Sequence, residues 1–209
     1  MVKKNGILVA CLMLLGIFTC YSQEMVRVTD YVDPFIGTGG HGHTFPGATY
    51  PFGMIQVSPD TRLEGWDGCS AYHSSDDIIY GFSHTHLSGT GCSDYGDILV
   101  MPVIGEVGLS DYDYASPFHQ ESEKASPGFY RVGLDKYDIG VELTASKRAG
   151  FHRYTFPATT QPGIVLDLTH RDKVIESGLK VVGDAEVEGY RFSTAWAKEQ
   201  RLYFVIQFS

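Results

Sequence analysis

Apolar and polar positions alternate with a period of two through the second half of this chain. Residues 129–132, 139–144 and 151–156 alternate strictly, and residues 164–168, 174–182, 186–196 and 201–208 follow at regular spacing. Gly, Pro and Asp separate them, and many short half-buried strands between turn residues predict an all-β, antiparallel β-sandwich. The first half is less regular. Residues 25–32 and 53–58 read as short strands, and 97–104 as a strand that Pro102 confines to an edge or a bend. Over residues 78–86, Ile79, Gly81, Ser83 and Thr85 would share one face, with Tyr80, Phe82, His84 and His86 on the other. Only residues 112–124 hint at helix. The last stretch is still strongly apolar at Ser209, which reads as a strand cut short.

Residues 7–18 are continuously apolar behind Lys3 and Lys4, with small residues towards Ser22. That is the layout of a secretory signal over residues 1–22, too short for a membrane span. Cleavage after Ser22 is expected, leaving residues 23–209 as one domain. A lipoprotein signal using Cys20 is the alternative, but Thr19 before it fits poorly. Export would place the mature chain in the periplasm or at the outer membrane. Without the two lysines, 14 basic residues face 25 acidic ones, a formal charge of −11. This sign disfavours nucleic acid and anionic lipid as partners. Outside the signal only Cys69 and Cys92 remain. In an oxidising compartment they could form a disulfide, or they could stay two free thiols.

Chemistry concentrates between Asp33 and Asp97. Gly37, Gly39, Gly40, Gly42, Gly47 and Gly53 allow an irregular backbone that can approach a ligand closely. Trp66 and Asp67 lie between Gly65 and Gly68 in a loop that begins near Arg62, and His41/His43 and His84/His86 make two His-x-His pairs. A phosphate cradle is excluded because Thr44-Phe45-Pro46-Gly47 cannot start a helix after the glycines. On a strand His84 and His86 could share a metal, but no third ligand accompanies them, and donation to hydroxyls or carbonyls is the simpler reading. Trp66 could cap the core. An indole face beside charged hydrogen-bond partners is also what a polyhydroxylated ring needs. The candidate sugar contacts are Arg62, Trp66 and Asp67, with Gly37, Thr38, Gly39, His84 and His86 as further ones. No spaced acid/base carboxylate pair stands out.

Three runs carry a resemblance: Tyr31-Val32-Asp33-Pro34-Phe35-Ile36-Gly37-Thr38-Gly39, then Phe45-Pro46-Gly47-Ala48-Thr49-Tyr50-Pro51-Phe52-Gly53-Met54, then Tyr80-Gly81-Phe82-Ser83-His84-Thr85-His86-Leu87-Ser88-Gly89-Thr90-Gly91. In these the chain resembles the start of the glycoside hydrolase family 92 α-mannosidases. The resemblance implies an N-terminal β-sandwich that packs in cis against an (α/α)₆ barrel, with a mannose site between them. It implies calcium-dependent, inverting removal of mannose from mannose-containing glycans, α-1,2 linkages first. Both catalytic carboxylates and the main Ca2+ ligands would come from the barrel, which these 209 residues do not include. The chain alone would then be inactive, with its loops forming one wall of the sugar subsite. A free-standing carbohydrate-binding domain is the other reading.

Overall fold

The computed structural model describes residues 26–159 and 161–209, so the signal expected over residues 1–22 lies outside the described residues. The chain divides into two units, Met1–Tyr31 and Val32–Ser209. In the first, residues 28–31 form a 3-10 turn, where the sequence predicted a strand. Among the described residues, no helix is long and apolar enough to cross a membrane.

The described residues of the second unit form fourteen strands: β1 (Ala48–Thr49), β2 (Gln56–Asp60), β3 (Ile78–Ile79), β4 (Gly81–Ser83), β5 (Leu99–Ile104), β6 (Ser116–Pro117), β7 (Lys124–Ser126), β8 (Phe129–Leu134), β9 (Ile139–Ala145), β10 (Gly150–Thr155), β11 (Pro162–Asp167), β12 (Lys173–Val182), β13 (Glu186–Thr194) and β14 (Gln200–Gln207). All strand pairs are antiparallel. A five-stranded sheet runs β1-β2-β4-β5-β11 and a four-stranded one β10-β9-β8-β7. Their inner faces make one core, Val57, Phe82, Leu99 and Met101 meeting Tyr130, Val132, Leu134, Ile139, Val141 and Leu143, and Ile79 of the short β3-β6 ribbon joins it. The period-two pattern of β8 and β9 is the cause, because alternate side chains of a strand point to opposite faces. Each apolar side chain so buried contributes about 1.5–3 kcal/mol.

Two expectations fail in the first half for physical reasons. Residues 78–86 are not one strand. β3 pairs with β6 and β4 with β2 and β5, so the chain changes partners at Tyr80, whose N–H donates to the carbonyl of Asp60 (2.8 Å). The helix hinted at over 112–124 is a single turn, Asp111–Tyr114. Pro117 then disfavours the helical conformation at Ser116, and that dipeptide becomes β6 instead. Pro102 sits where β5 has only β11 beside it, as the sequence suggested.

The third sheet, β12-β13-β14, is a meander joined to the sandwich through Arg191 of β13. This side chain is fully buried. It pairs with the buried carboxylate of Asp97 and donates to the carbonyls of Leu168 (3.1 Å) and His170 (2.7 Å).

Between β4 and β10, two half-buried histidines meet. His84 donates from Nδ1 to the carbonyl of Ile98 (2.7 Å), and its Nε2 lies 3.0 Å from Nε2 of His152, whose Nδ1 is 2.7 Å from the Tyr154 hydroxyl. Burial pushes the pKa of both rings below 6.5; His84 further disfavours a proton on His152, and His86 does the same to His84. A base with a depressed folded pKa stays neutral in the fold and charges when the chain unfolds. Its penalty therefore begins as pH falls through the unfolded value near 6.5, and each unit of depression removes ~1.4 kcal/mol once pH is below the folded value. His170, whose pKa is raised, works in the opposite direction over the same range, so the pair is read from a difference between proteins. Between pH 7.5 and pH 5 the urea midpoint of H152Q should rise relative to that of the wild type, and a midpoint difference independent of pH would refute the assignment.

Candidate functional site

Three loops converge on one surface. Gly42 is the pinch point of the first, because a Cβ there would fall 1.9 Å from the carbonyl oxygen of Gly37. Side chains and amides of the second loop hold this turn in place. The Ser74 amide donates to the Thr38 carbonyl (2.9 Å), His73 Nε2 to Gly40 O (3.0 Å) and the Gly68 amide to Gly42 O (3.1 Å). The carbonyl of His43 accepts both the Ser70 hydroxyl and the Gly89 amide (each 2.6 Å), which draws in the third loop. The glycine-rich segment is costly to order, and these bonds offset that cost.

Trp66 stands on this surface, 65% exposed. The ring of His43 meets it edge-on, with centroids 5.4 Å apart at 81°. A Cβ at Gly91 would lie 2.8 Å from the indole, so glycine is required for the third loop to pack against it. Asp67 follows, its Oδ1 3.0 Å from Nδ1 of the exposed His41. That hydrogen bond holds the Asp67 carboxyl below the usual carboxylate range. An indole face beside an ionised carboxylate and an imidazole can bind the CH face and hydroxyls of a sugar. A carboxyl held ionised is poorly suited to be a general acid, which needs a raised pKa.

The structure sorts the expected contacts. Trp66 and Asp67 share the exposed surface. Arg62 lies in the same loop but is tied down: its Nε and Nη2 reach both carboxylate oxygens of Asp76 (3.2 and 2.5 Å), and Nη1 donates to Asp67 O (3.3 Å). It shapes the loop. Gly37, Thr38 and Gly39 form the turn itself, with Thr38 buried and its hydroxyl donating to Phe35 O (2.8 Å). His84 and His86 turn to other partners, with His86 packed against Phe45 of the first loop. β4 ends at Ser83, so the two rings do not share a strand face. His84 joins His152, and His86 is buried with Nδ1 against Gln56 O (2.8 Å) and Nε2 against Asp60 (2.9 Å). The first His-x-His pair also diverges, His41 to Asp67 and His43 to Trp66. Cys69 and Cys92 are free thiols. Burial raises the pKa of Cys69.

Among the described residues, Asp111, Asp167 and His170 form the group with metal-ligand spacing. His170 Nε2 also lies 2.6 Å from the fully buried Asp60, which His86 shares. Hydrogen bonds to Asp111 and Asp60 raise its pKa to about 9 against the opposing pull of burial. The group is therefore best described as a buried ion network. With its nitrogen ligand it does not fit the all-oxygen cage of Ca2+.

Three comparisons bear on this geometry. Residues 31–209 match the glycosyl hydrolase family 92 N-terminal domain. The structure is similar to a family GH92 alpha-mannosidase from Bacteroides thetaiotaomicron in complex with mannoimidazole, with TM-score 0.82 and 38% identity over 86% of this chain and 25% of that one. It is also similar to a family GH92 inverting mannosidase from Bacteroides thetaiotaomicron VPI-5482, with TM-score 0.76 and 28% identity over 90% of this chain and 26% of that one. A protein of Arthroderma benhamiae named as an uncharacterized secreted glycosidase is 31% identical over 162 residues, 71% of this chain and 20% of its own length. The chain thus spans about a quarter or less of the relatives it matches.

Proposed function

The chain belongs to glycosyl hydrolase family 92 as that family's N-terminal domain, and from that premise we propose that its three-loop surface is one wall of the mannose subsite of an exported, inverting exo-α-mannosidase. The observation that carries this reading is Trp66, exposed at the meeting point of three tightly bonded loops with Asp67 and His41 beside it. In this proposal the indole stacks on the mannose ring while Asp67 and His41 bind its hydroxyls. The general acid and base of an inverting hydrolase flank the scissile bond from opposite sides and leave room for a water. Asp67, held ionised, is no general acid and in this proposal binds hydroxyls, and Asp76 is engaged by Arg62 and Thr61, so neither the acid nor the base is placed on these loops. Both would come from the (α/α)₆ domain, as would the ligands of the Ca2+ on which the reaction is proposed to depend. The substrate is a mannose-containing glycan, with an α-1,2-linked terminal mannose as the first linkage to test.

Trp66 and Trp196 are the two tryptophans of the chain, so W196F leaves Trp66 as the reporter. Titrating that variant with methyl α-mannoside should shift the Trp66 emission saturably, while methyl α-galactoside should not. D67N should weaken the mannoside by about tenfold, the loss of one charged hydrogen bond. The chain itself should release no mannose from an α-1,2-mannobiose. An emission that ignores mannoside, or answers equally to both sugars, would overturn the assignment of the site.

A further inference from the structure

The loop that presents Trp66 is tied at both ends by one side chain outside it. Arg171 donates from Nη1 to the carbonyl of Arg62 (3.2 Å) and from Nη2 to the carbonyl of Cys69 (2.9 Å), and Nη2 also reaches the Ser93 hydroxyl. Residues 62 and 69 bracket Trp66 and Asp67, and Ser93 belongs to the third loop. One guanidinium fork thus fixes the width of the Trp66 loop and its register against its neighbour. Lysine cannot reproduce this, because a single ammonium lacks the planar fork that reaches several acceptors at once.

The backbone around Arg171 bears the signs of a position held for this purpose. Arg171 adopts φ = 57°, a left-handed conformation unfavourable for a residue with a Cβ. Its Nε is buried with no hydrogen-bond partner, a cost the fold accepts while both Nη atoms are engaged. Gly96 makes room for the stem, since a Cβ there would lie 2.7 Å from Arg171 Cδ. The segment on either side is clamped. Arg191 holds the carbonyls of Leu168 and His170, and the Asp172 carboxylate accepts the Tyr95 amide (2.8 Å). Two arginines therefore act in series, from β13 to the 168–172 turn and from that turn to the Trp66 loop.

We propose that Arg171 is the positioning residue of the sugar platform, setting the orientation of Trp66 without touching the ligand. The proposal rests on the reading of the three-loop surface as a mannose subsite, but its first readout does not. In the W196F chain, R171M should make Trp66 more accessible to acrylamide and lower its fluorescence anisotropy with no sugar present. Methyl α-mannoside affinity should fall about fivefold, the scale of one or two lost hydrogen bonds. R171K should behave like R171M. V132A, which opens a core cavity in β8, serves as the control for general destabilisation: it should lower the unfolding midpoint and leave Trp66 quenching unchanged. Unaltered quenching and anisotropy in R171M, or full rescue by R171K, would overturn the positioning role. If the W196F parent binds no mannoside while R171M still loosens Trp66, the sugar reading fails and the positioning role stands.

Discussion

Replacing Arg191 with methionine should destabilise the fold by about 3–5 kcal/mol, the range for removing one partner of a buried ion pair. Both members of the pair have fully buried side chains. Without Arg191 the Asp97 carboxylate keeps only neutral donors, the Thr85 hydroxyl (2.6 Å) and the Gln200 amide (2.5 Å), in a site closed to water. The carbonyls of Leu168 and His170 lose a donor as well, and the third sheet loses its main polar attachment to the sandwich. Such a loss is a large share of the 5–15 kcal/mol typical of a domain. Urea unfolding at pH 7 measures it. Adding D97N to R191M should recover part of the loss, because the uncompensated charge is then gone. A cost below 1 kcal/mol for R191M, with no recovery in the double variant, would mean that the pair is not what joins the sheets.

The second half of the fold was legible in the sequence because its strands keep one partner sheet and one buried face. Tyr130, Val132 and Leu134 alternate with Phe129, Arg131 and Gly133, and burial follows suit. Residues 78–86 misled for the opposite reason: the chain changes sheets at Tyr80, and alternation does not record a change of partner. In the site, Trp66 and Asp67 could be picked out because a large apolar side chain and a carboxylate between glycines have few packing roles. Arg62 could not be placed, since its charge is compatible with a sugar until Asp76 is found against it. His84 and His86 were drawn in by their place in a family motif and by imidazole chemistry, and the strand periodicity that would let them share a metal stops at Ser83. Arg171 left no local signal. Its carbonyl partners lie 102 and 109 residues away, and only the folded topology brings them to it.

The counterpart of Arg191 on the functional side is Trp66, where the expected loss is of binding without loss of fold. W66A should abolish saturation transfer from the chain to methyl α-mannoside, a drop in affinity of at least tenfold, or ~1.4 kcal/mol. The argument is one of exposure. Two thirds of the Trp66 surface is open, and its neighbours are the edge of His43 and the backbone of Gly91. Truncation therefore removes little packing, and exposed substitutions of this kind stay within about 0.5 kcal/mol in stability. What it does remove is the flat apolar face against which the CH groups of a pyranose would lie, together with the aromatic gain of ~0.5–1.5 kcal/mol beyond buried area. W66F keeps a smaller face and should retain part of the affinity, which separates stacking from simple bulk. The urea midpoint should be the same in all three proteins. Equal saturation transfer in W66A and wild type would show that the indole is no sugar platform. A midpoint that falls with the binding would instead make Trp66 a structural cap on the three loops.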